Sequence, residues 1–147
     1  MKKMKDALLF FWQVPQWLLG ALCWAFYCLK DGRKAEGMWV YCGTERIARL
    51  CVVRIGRRAA FTLGDWVVFD REWFLDGGRR VKVKDAVRHE VGHVGQSRIL
   101  GWLYLPVIAL PSVVMTAIAP NMVQRFYFEA WANRLSAGLD FSIEKSE

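Results

Sequence analysis

The sequence predicts an α+β domain: a small mixed or antiparallel sheet, two helices that carry a candidate site, and hydrophobic segments that associate with a membrane. Segments 49–55 (RLCVVRI) and 65–75 (DWVVFDREWFL) are rich in β-branched and aromatic residues, which favour strands. Residues typical of helix N- and C-termini predict helices over roughly 84–99 and 121–137. Two uncharged runs of more than 20 residues complete the pattern.

The first uncharged run, residues 7–29, is long enough to cross a bilayer, for which about 20 residues suffice. We therefore predict a hydrophobic N-terminal membrane-anchor segment over 1–30 and one domain over 31–147. Polar Gln13 and Gln16 flank Pro15 inside the run, so a hairpin or a helix lying in the membrane interface stays open. A buried helix of a soluble protein is the third alternative.

The middle of the chain should contain two or three short strands, with a turn at 76–78 (DGG). The helix over 84–99 should end before Gly101. The helix over 121–137 has Asn121 as its expected cap and Gly138 as its terminator. The tail, DFSIEKSE, is expected to be frayed.

The second uncharged run, residues 99–124, contains three prolines, which disfavour one straight membrane-crossing helix. We predict a shallow hydrophobic hairpin with two short legs that meet near 110–112 (LPS). The hairpin would dip into lipid or fold over the domain as a lid.

The net charge of +7 favours either a nucleic acid or a membrane surface as partner. Fifteen of the 21 basic residues lie between Lys30 and Arg98, but nine acids share that interval and no nucleic-acid-binding motif accompanies them. We therefore expect a lipid bilayer as partner and no nucleic acid. The four cysteines form no CxxC pair, so we expect free thiols in a reducing compartment.

The segment VRHEVGHVGQS (87–97) contains the only two histidines of the chain, His89 and His93. Residues four apart share one face of a helix, so the two imidazoles can bind one Zn²⁺. In this HExxH arrangement Glu90 is the expected general base. Gly92 faces away from the ligands and should let this helix pack closely against the sheet.

A catalytic zinc needs a third protein ligand, and no third histidine exists. The best candidate is Glu129, which is the only acid between Glu90 and Asp140 and lies on a predicted helix. An exposed glutamate on an amphipathic helix is the alternative. Asn133, four residues later, could orient a metal ligand through a hydrogen bond.

HEVGH, a hydrophobic stretch and then ExxAN resemble the gluzincin pattern of HtpX-like and CAAX-prenyl-protease-like membrane metallopeptidases. The resemblance covers about 45 residues, 85–135, in a much shorter chain. It implies a minimal zincin-like domain in which His89, His93 and Glu129 bind zinc, Glu90 is the base and Ala132 is a small packing residue. Asn133 stands where the family usually has Asp, so it cannot supply a negative charge.

The function that follows is a membrane-associated zinc metallopeptidase whose substrate is a peptide or a membrane protein. An extended substrate would add to a strand beside the zinc helix, for which the candidate is Trp66, Val67, Val68 and Phe69. Tyr104 and Tyr127 are either oxyanion stabilisers or packing aromatics. The alternative function is a catalytically inactive, metal-stabilised binding or regulatory membrane protein.

The positive-inside tendency places the basic interval, and with it the zinc site, on the cytoplasmic side of a bacterial-type inner membrane. A membrane anchor or channel-associated subunit with incidental histidines is a third alternative.

Overall fold

The structure is a computed structural model that describes residues 2–55, 59–75 and 80–145. Its helices are α1 (Lys2–Asp31), α2 (Glu72–Leu75), α3 (Arg80–Leu100), α4 (Leu110–Ile118) and α5 (Tyr127–Ser136). Its strands are β1 (Glu36–Cys42), β2 (Glu45–Val53), β3 (Ala60–Leu63), β4 (Trp66–Asp70) and β5 (Ser142–Lys145).

The five strands form one mixed sheet in the order β3-β4-β2-β1-β5. Strands β2 and β4 are parallel, and the other neighbours are antiparallel. The α+β prediction with a small mixed sheet is thus confirmed. The expected number of strands was too low, and the tail is not frayed because Ser142–Lys145 pairs with β1 as β5. The predicted turn at 76–78 lies outside the described residues.

One face of the sheet packs against α3, and α5 packs against α3 in turn. Val87, Val91 and Val94 of α3 are buried against strand residues such as Leu50 and Phe69. This interface is the main hydrophobic core, and it fixes the helix that carries both histidines.

Helix α1 covers part of the other face of the sheet. Trp17, Ala21, Trp24 and Tyr27 pack against a buried cluster around Trp66. The helix runs unbroken through Pro15, so the interruption at that proline does not produce a hairpin. By length and composition, Met4–Asp31 is the one helix among the described residues long and apolar enough to cross a membrane.

The segment after α3 turns sharply. Gly101, with φ of 55°, follows the end of α3 as predicted, and the chain bends by 117° between 83–103 and 105–118. Residues 105–109 are π-helical and continue directly into α4, so the predicted break near 110–112 is wrong: the chain turns at Gly101–Tyr104 instead. Phe128 packs on Tyr104 and Ile108, which holds the start of α5 against the bend that follows α3.

The last helix begins later than predicted. Its first residue is Tyr127 and its N-cap is Phe126, so Asn121 does not cap it. Gly138, with φ of 71°, follows its end, as expected for a helix terminator.

Candidate metal centre

Helices α3 and α5 bring the three predicted ligands together. His89 and His93 occupy successive turns of α3, and Glu129 lies in the first turn of α5. The Glu129 Oε2 atom is 2.7 Å from His89 Nε2 and 3.6 Å from His93 Nε2. The two Nε2 atoms are 3.2 Å apart.

A glycine makes this convergence possible. A Cβ atom on Gly92 would lie 2.1 Å from the backbone oxygen of Ala132, which is closer than any van der Waals contact. Gly92 therefore lets α3 approach the backbone of α5, whereas the sequence suggested that it faces the sheet. Ala132 is fully buried at this crossing. The close approach of the two helices is what brings Glu129 within reach of the histidines.

A side-chain amide oxygen lies within hydrogen-bond distance of the Nδ1 atom of each histidine and orients its ring. His89 Nδ1 is 2.8 Å from Asn133 Oδ1, and His93 Nδ1 is 2.7 Å from Gln96 Oε1. The Gln96 Nε2 group donates to the carbonyl of Phe128 at 2.6 Å, which fixes the direction of that amide. An amide oxygen can only accept, so each Nδ1 carries the proton and each Nε2 offers its lone pair inward.

In the centre, two nitrogen lone pairs and a carboxylate face one another, an arrangement that a bound proton or a metal ion stabilises. Burial alone would lower the pKa of His89, but contact with Glu129 and with Asn133 outweighs it and raises that pKa to about 9. Burial would raise the pKa of Glu129, but the two histidines lower it to about 2. A metal ion would displace that proton and take its place.

The donor set fits a divalent cation such as Zn²⁺. One atom from each of His89, His93 and Glu129 lies within 4.8 Å of the other two. Tetrahedral ligands at about 2.0–2.1 Å from zinc are themselves roughly 3.3 Å apart, and the observed separations bracket that value. Two imidazoles and one carboxylate are a ligand set that leaves a fourth position for water.

Glu90 is buried beside the centre and is held by the edge strand β3. The hydroxyl of Thr62 donates to Glu90 Oε2 at 2.7 Å. Tyr104 donates its hydroxyl to the backbone oxygen of the same threonine at 3.1 Å. Thr62 therefore joins the candidate base to the bend after α3, where Tyr104 is buried. Tyr127 donates to the carbonyl of Val107 instead.

The centre opens into a cleft of about 640 Å³. Strand β3 and the segment from Tyr104 through α4 both line the cleft, the latter with Ile108, Ala109 and Val113 among its residues. The second uncharged run therefore lies against the candidate site, and its role as a lid stays a prediction.

The substrate-strand prediction is wrong in its choice of strand. Trp66, Val67, Val68 and Phe69 belong to β4, which pairs with β2 on one side and β3 on the other. Because the backbone groups on both sides of β4 pair with neighbouring strands, β4 has no free edge to which a peptide could add. These four side chains are buried and form part of the two hydrophobic clusters of the sheet.

Sequence reasoning missed Thr62 and Gln96. Thr62 lies on a strand that the sequence did not reveal, 28 positions from its partner Glu90. Gln96 stands three residues after His93, which is the spacing of helical neighbours, so that signal was available.

The chain matches no protein-family model, and neither the curated proteins nor the solved structures include a significant match. The assignment of this centre therefore depends on its own geometry and on the HExxH motif.

Proposed function

We propose that the protein is a membrane-associated, zinc-dependent metallopeptidase of gluzincin type, with a minimal zincin-like fold. The observation that carries the proposal is the convergence of His89, His93 and Glu129 beside Glu90, at the base of an open cleft. A ligand set on a closed structural site would not need a buried carboxylate next to it or a cleft above it.

The residues divide the chemistry between them. His89 Nε2, His93 Nε2 and Glu129 would hold the metal, and Asn133 and Gln96 keep both imidazoles in the correct tautomer. A bound zinc ion supplies Lewis acidity, which polarises a carbonyl group and acidifies water. Glu90 would accept a proton from the attacking water and pass it to the leaving amine. Thr62 keeps the Glu90 carboxylate in place while it does so.

The edge strand β3 is the better candidate for substrate pairing. The N–H of Asp70 donates to the oxygen of Ala59, so Ala60 and Phe69 form a non-hydrogen-bonded pair. By alternation, the backbone groups of Ala60 and Thr62 point away from β4. The oxygen of Thr62 already accepts from Tyr104, so a peptide would pair with the Thr62 N–H and the Ala60 carbonyl.

The decisive experiment is Glu90→Gln, with Glu144→Gln on exposed β5 as a matched control. Purified protein should contain about one zinc per chain, and both variants should keep it. Cleavage of a peptide library by Glu90→Gln should fall at least about a hundredfold, because a general base contributes 10²–10⁴. Unchanged cleavage in Glu90→Gln would refute the assignment of the base.

A second variant separates the metal site from the chemistry. Glu129→Ala should lower zinc content, because the two histidines remain as the only protein ligands. If Glu129→Ala loses zinc while the parent chain cleaves no peptide, the catalytically inactive, metal-stabilised alternative stands. If Glu129→Ala binds zinc as the parent does, the centre itself is wrongly assigned.

A further inference from the structure

We propose that α1 binds an anionic phospholipid bilayer side-on, lying in the boundary between headgroups and acyl chains, rather than crossing the bilayer. The binding surface, called here the lipid face, consists of an apolar stripe on α1 and two arginines stacked on aromatic rings beside it. The inference concerns the side of the sheet opposite the metal centre, so it does not depend on the proposed catalysis.

The stripe follows the outward face of α1 over its whole length. Its members are large apolar side chains, each at least 50% exposed and spaced by three or four residues, except for a gap of seven across the half-buried Pro15: Met4, Leu8, Phe11, Leu18, Leu22, Phe26 and Leu29. From Leu8 to Leu29 the stripe extends about 32 Å at 1.5 Å per residue. A continuous apolar strip of this size does not stay in water on an ordinary soluble protein.

From its midpoint to its end, the inward face of α1 is held to the domain. At the midpoint, the buried Gln16 donates to the backbone oxygen of Gly101 at 2.8 Å. One turn later, a Cβ atom on Gly20 would lie 2.6 Å from the Trp66 ring, so the backbone of α1 touches the sheet. At its end, Asp31 accepts from the backbone N–H of Arg54 and lies 4.0 Å from Arg71.

This docking argues against a crossing. Trp17, halfway between Leu8 and Leu29, packs on Trp66, and the guanidinium of Arg49 lies 4.9 Å from the centre of the Trp66 ring. If α1 crossed the bilayer while docked, Arg49 would lie near the bilayer centre. Placing a charged side chain there is strongly unfavourable, whereas an in-plane helix keeps the domain in water.

The arginines beside α1 provide the complementary charge. Arg49 also stacks on Trp39 at 4.2 Å, and Arg46 stacks on Trp39 at 4.7 Å and donates to the Tyr41 hydroxyl. Arg49 is the register partner of both Trp39 and Trp66, so these side chains share the sheet face that α1 covers. Exposed arginines held on Trp and Tyr suit the headgroup layer, and they favour anionic lipid over a second copy of this basic chain.

The depth of α1 in a bilayer tests the proposal directly. Leu8, Leu18 and Leu29 are replaced one at a time by a fluorescent amino acid in the full chain, and quenching by nitroxides at known depths in phosphatidylcholine–phosphatidylglycerol vesicles is measured. Side-on binding predicts one shallow depth for all three positions. A deep position 18 between shallow positions 8 and 29 would show a crossing and overturn the proposal.

Charge variants test the partner. Arg46→Gln and Arg49→Gln should each weaken partitioning onto phosphatidylglycerol-containing vesicles about fivefold, with little change on pure phosphatidylcholine. Lys84→Gln removes an exposed charge from α3, on the other side of the sheet, and should have no effect. Equal losses in all three variants would refute the lipid face. So would a chain that ignores vesicles and dimerises through α1 in sedimentation experiments.

Discussion

The helices on the two faces of the sheet use the same type of buried residue for different purposes. Each side carries a fully buried glutamine, Gln96 on α3 and Gln16 on α1. Gln96 joins a histidine to the helix that carries Glu129, so its polarity serves the metal centre. Gln16 donates to the backbone oxygen of Gly101 and to the hydroxyl of Ser97, so its polar group only attaches α1 to the end of α3. Buried polarity thus indicates a functional site only where the groups converge on one point.

The helix contacts differ in the same way. Gly92 brings α3 against the backbone of α5, which cannot yield, whereas Gly20 brings α1 against a tryptophan ring and a strand carbonyl. The α3–α5 contact places Glu129 Oε2 at 2.7 Å from His89 and 3.6 Å from His93, whereas the α1 contact sets only how that helix lies on the sheet.

Gly92→Ala should abolish zinc binding. The new Cβ atom would meet a backbone oxygen at 2.1 Å, so α5 must move away and take Glu129 with it. We expect a loss of about 3 kcal/mol in the free energy of unfolding, as for severe overpacking. Zinc titration and thermal melting would measure the two effects.

Gly95→Ala, one turn later on the same helix, is the matched control. Its Cβ atom would lie 3.3 Å from Leu135 Cδ1, the end of a flexible side chain. Because alanine is the better helix former by up to about 1 kcal/mol, stability should hold or rise and zinc binding should persist. Similar zinc losses in both variants would show that the α3–α5 approach is not what assembles the centre.

Gln96→Leu and Gln16→Leu should separate the two sides of the sheet. Gln96→Leu should weaken zinc affinity about 10–100-fold, because His93 loses the acceptor that fixes its tautomer. Gln16→Leu should cost about 1–3 kcal/mol of stability, because it leaves a buried carbonyl unpaired, and it should not change zinc affinity. Competition titration with a zinc chelator measures the affinities. A zinc defect in Gln16→Leu would mean that the two sides are coupled.

Thr62→Val should have the smallest effect on the metal centre and should act mainly on catalysis. Valine keeps the branched shape but cannot donate to Glu90, so kcat should fall about tenfold, as for one lost hydrogen bond to a charged group. KM and zinc content should stay near the parent values, whereas the melting temperature should fall because a buried carboxylate oxygen loses its donor. Thr62→Ser, which restores the hydroxyl, should recover most of kcat. Failure of serine to do so would assign Thr62 a purely structural role.

The sequence was most informative where the chemistry is local. The spacing of His89 and His93 needs only helical geometry, and Glu129 was identifiable as the one acid in a long apolar stretch. The ends of α3 and α5 were readable from Gly101 and Gly138, which both adopt positive φ. These features depend on few neighbours along the chain, so a pattern can reveal them.

Long-range arrangement was not readable. The apolar pattern of β4 predicted a strand but not its position between β2 and β3. An interior strand and a buried edge strand can have the same apolar pattern, so the sequence does not distinguish them. The partner of Gly92 lies 40 positions away on α5, so the glycine alone did not indicate which surface approaches it. Strand β5 was missed because it has four residues, mostly polar and exposed, and gains its order from β1.

The sheet ends in two edges that are protected against other chains to different degrees. At one edge β5 is short and presents Glu144 and Lys145, charges of the kind that deter intermolecular β-pairing. At the other, the hydroxyl of Tyr104 occupies the outward carbonyl of Thr62, while the N–H of Thr62 and the carbonyl of Ala60 stay turned away from β4. Any further strand should therefore join this sheet at β3, and a peptide bound there should protect the Thr62 amide hydrogen from exchange with solvent.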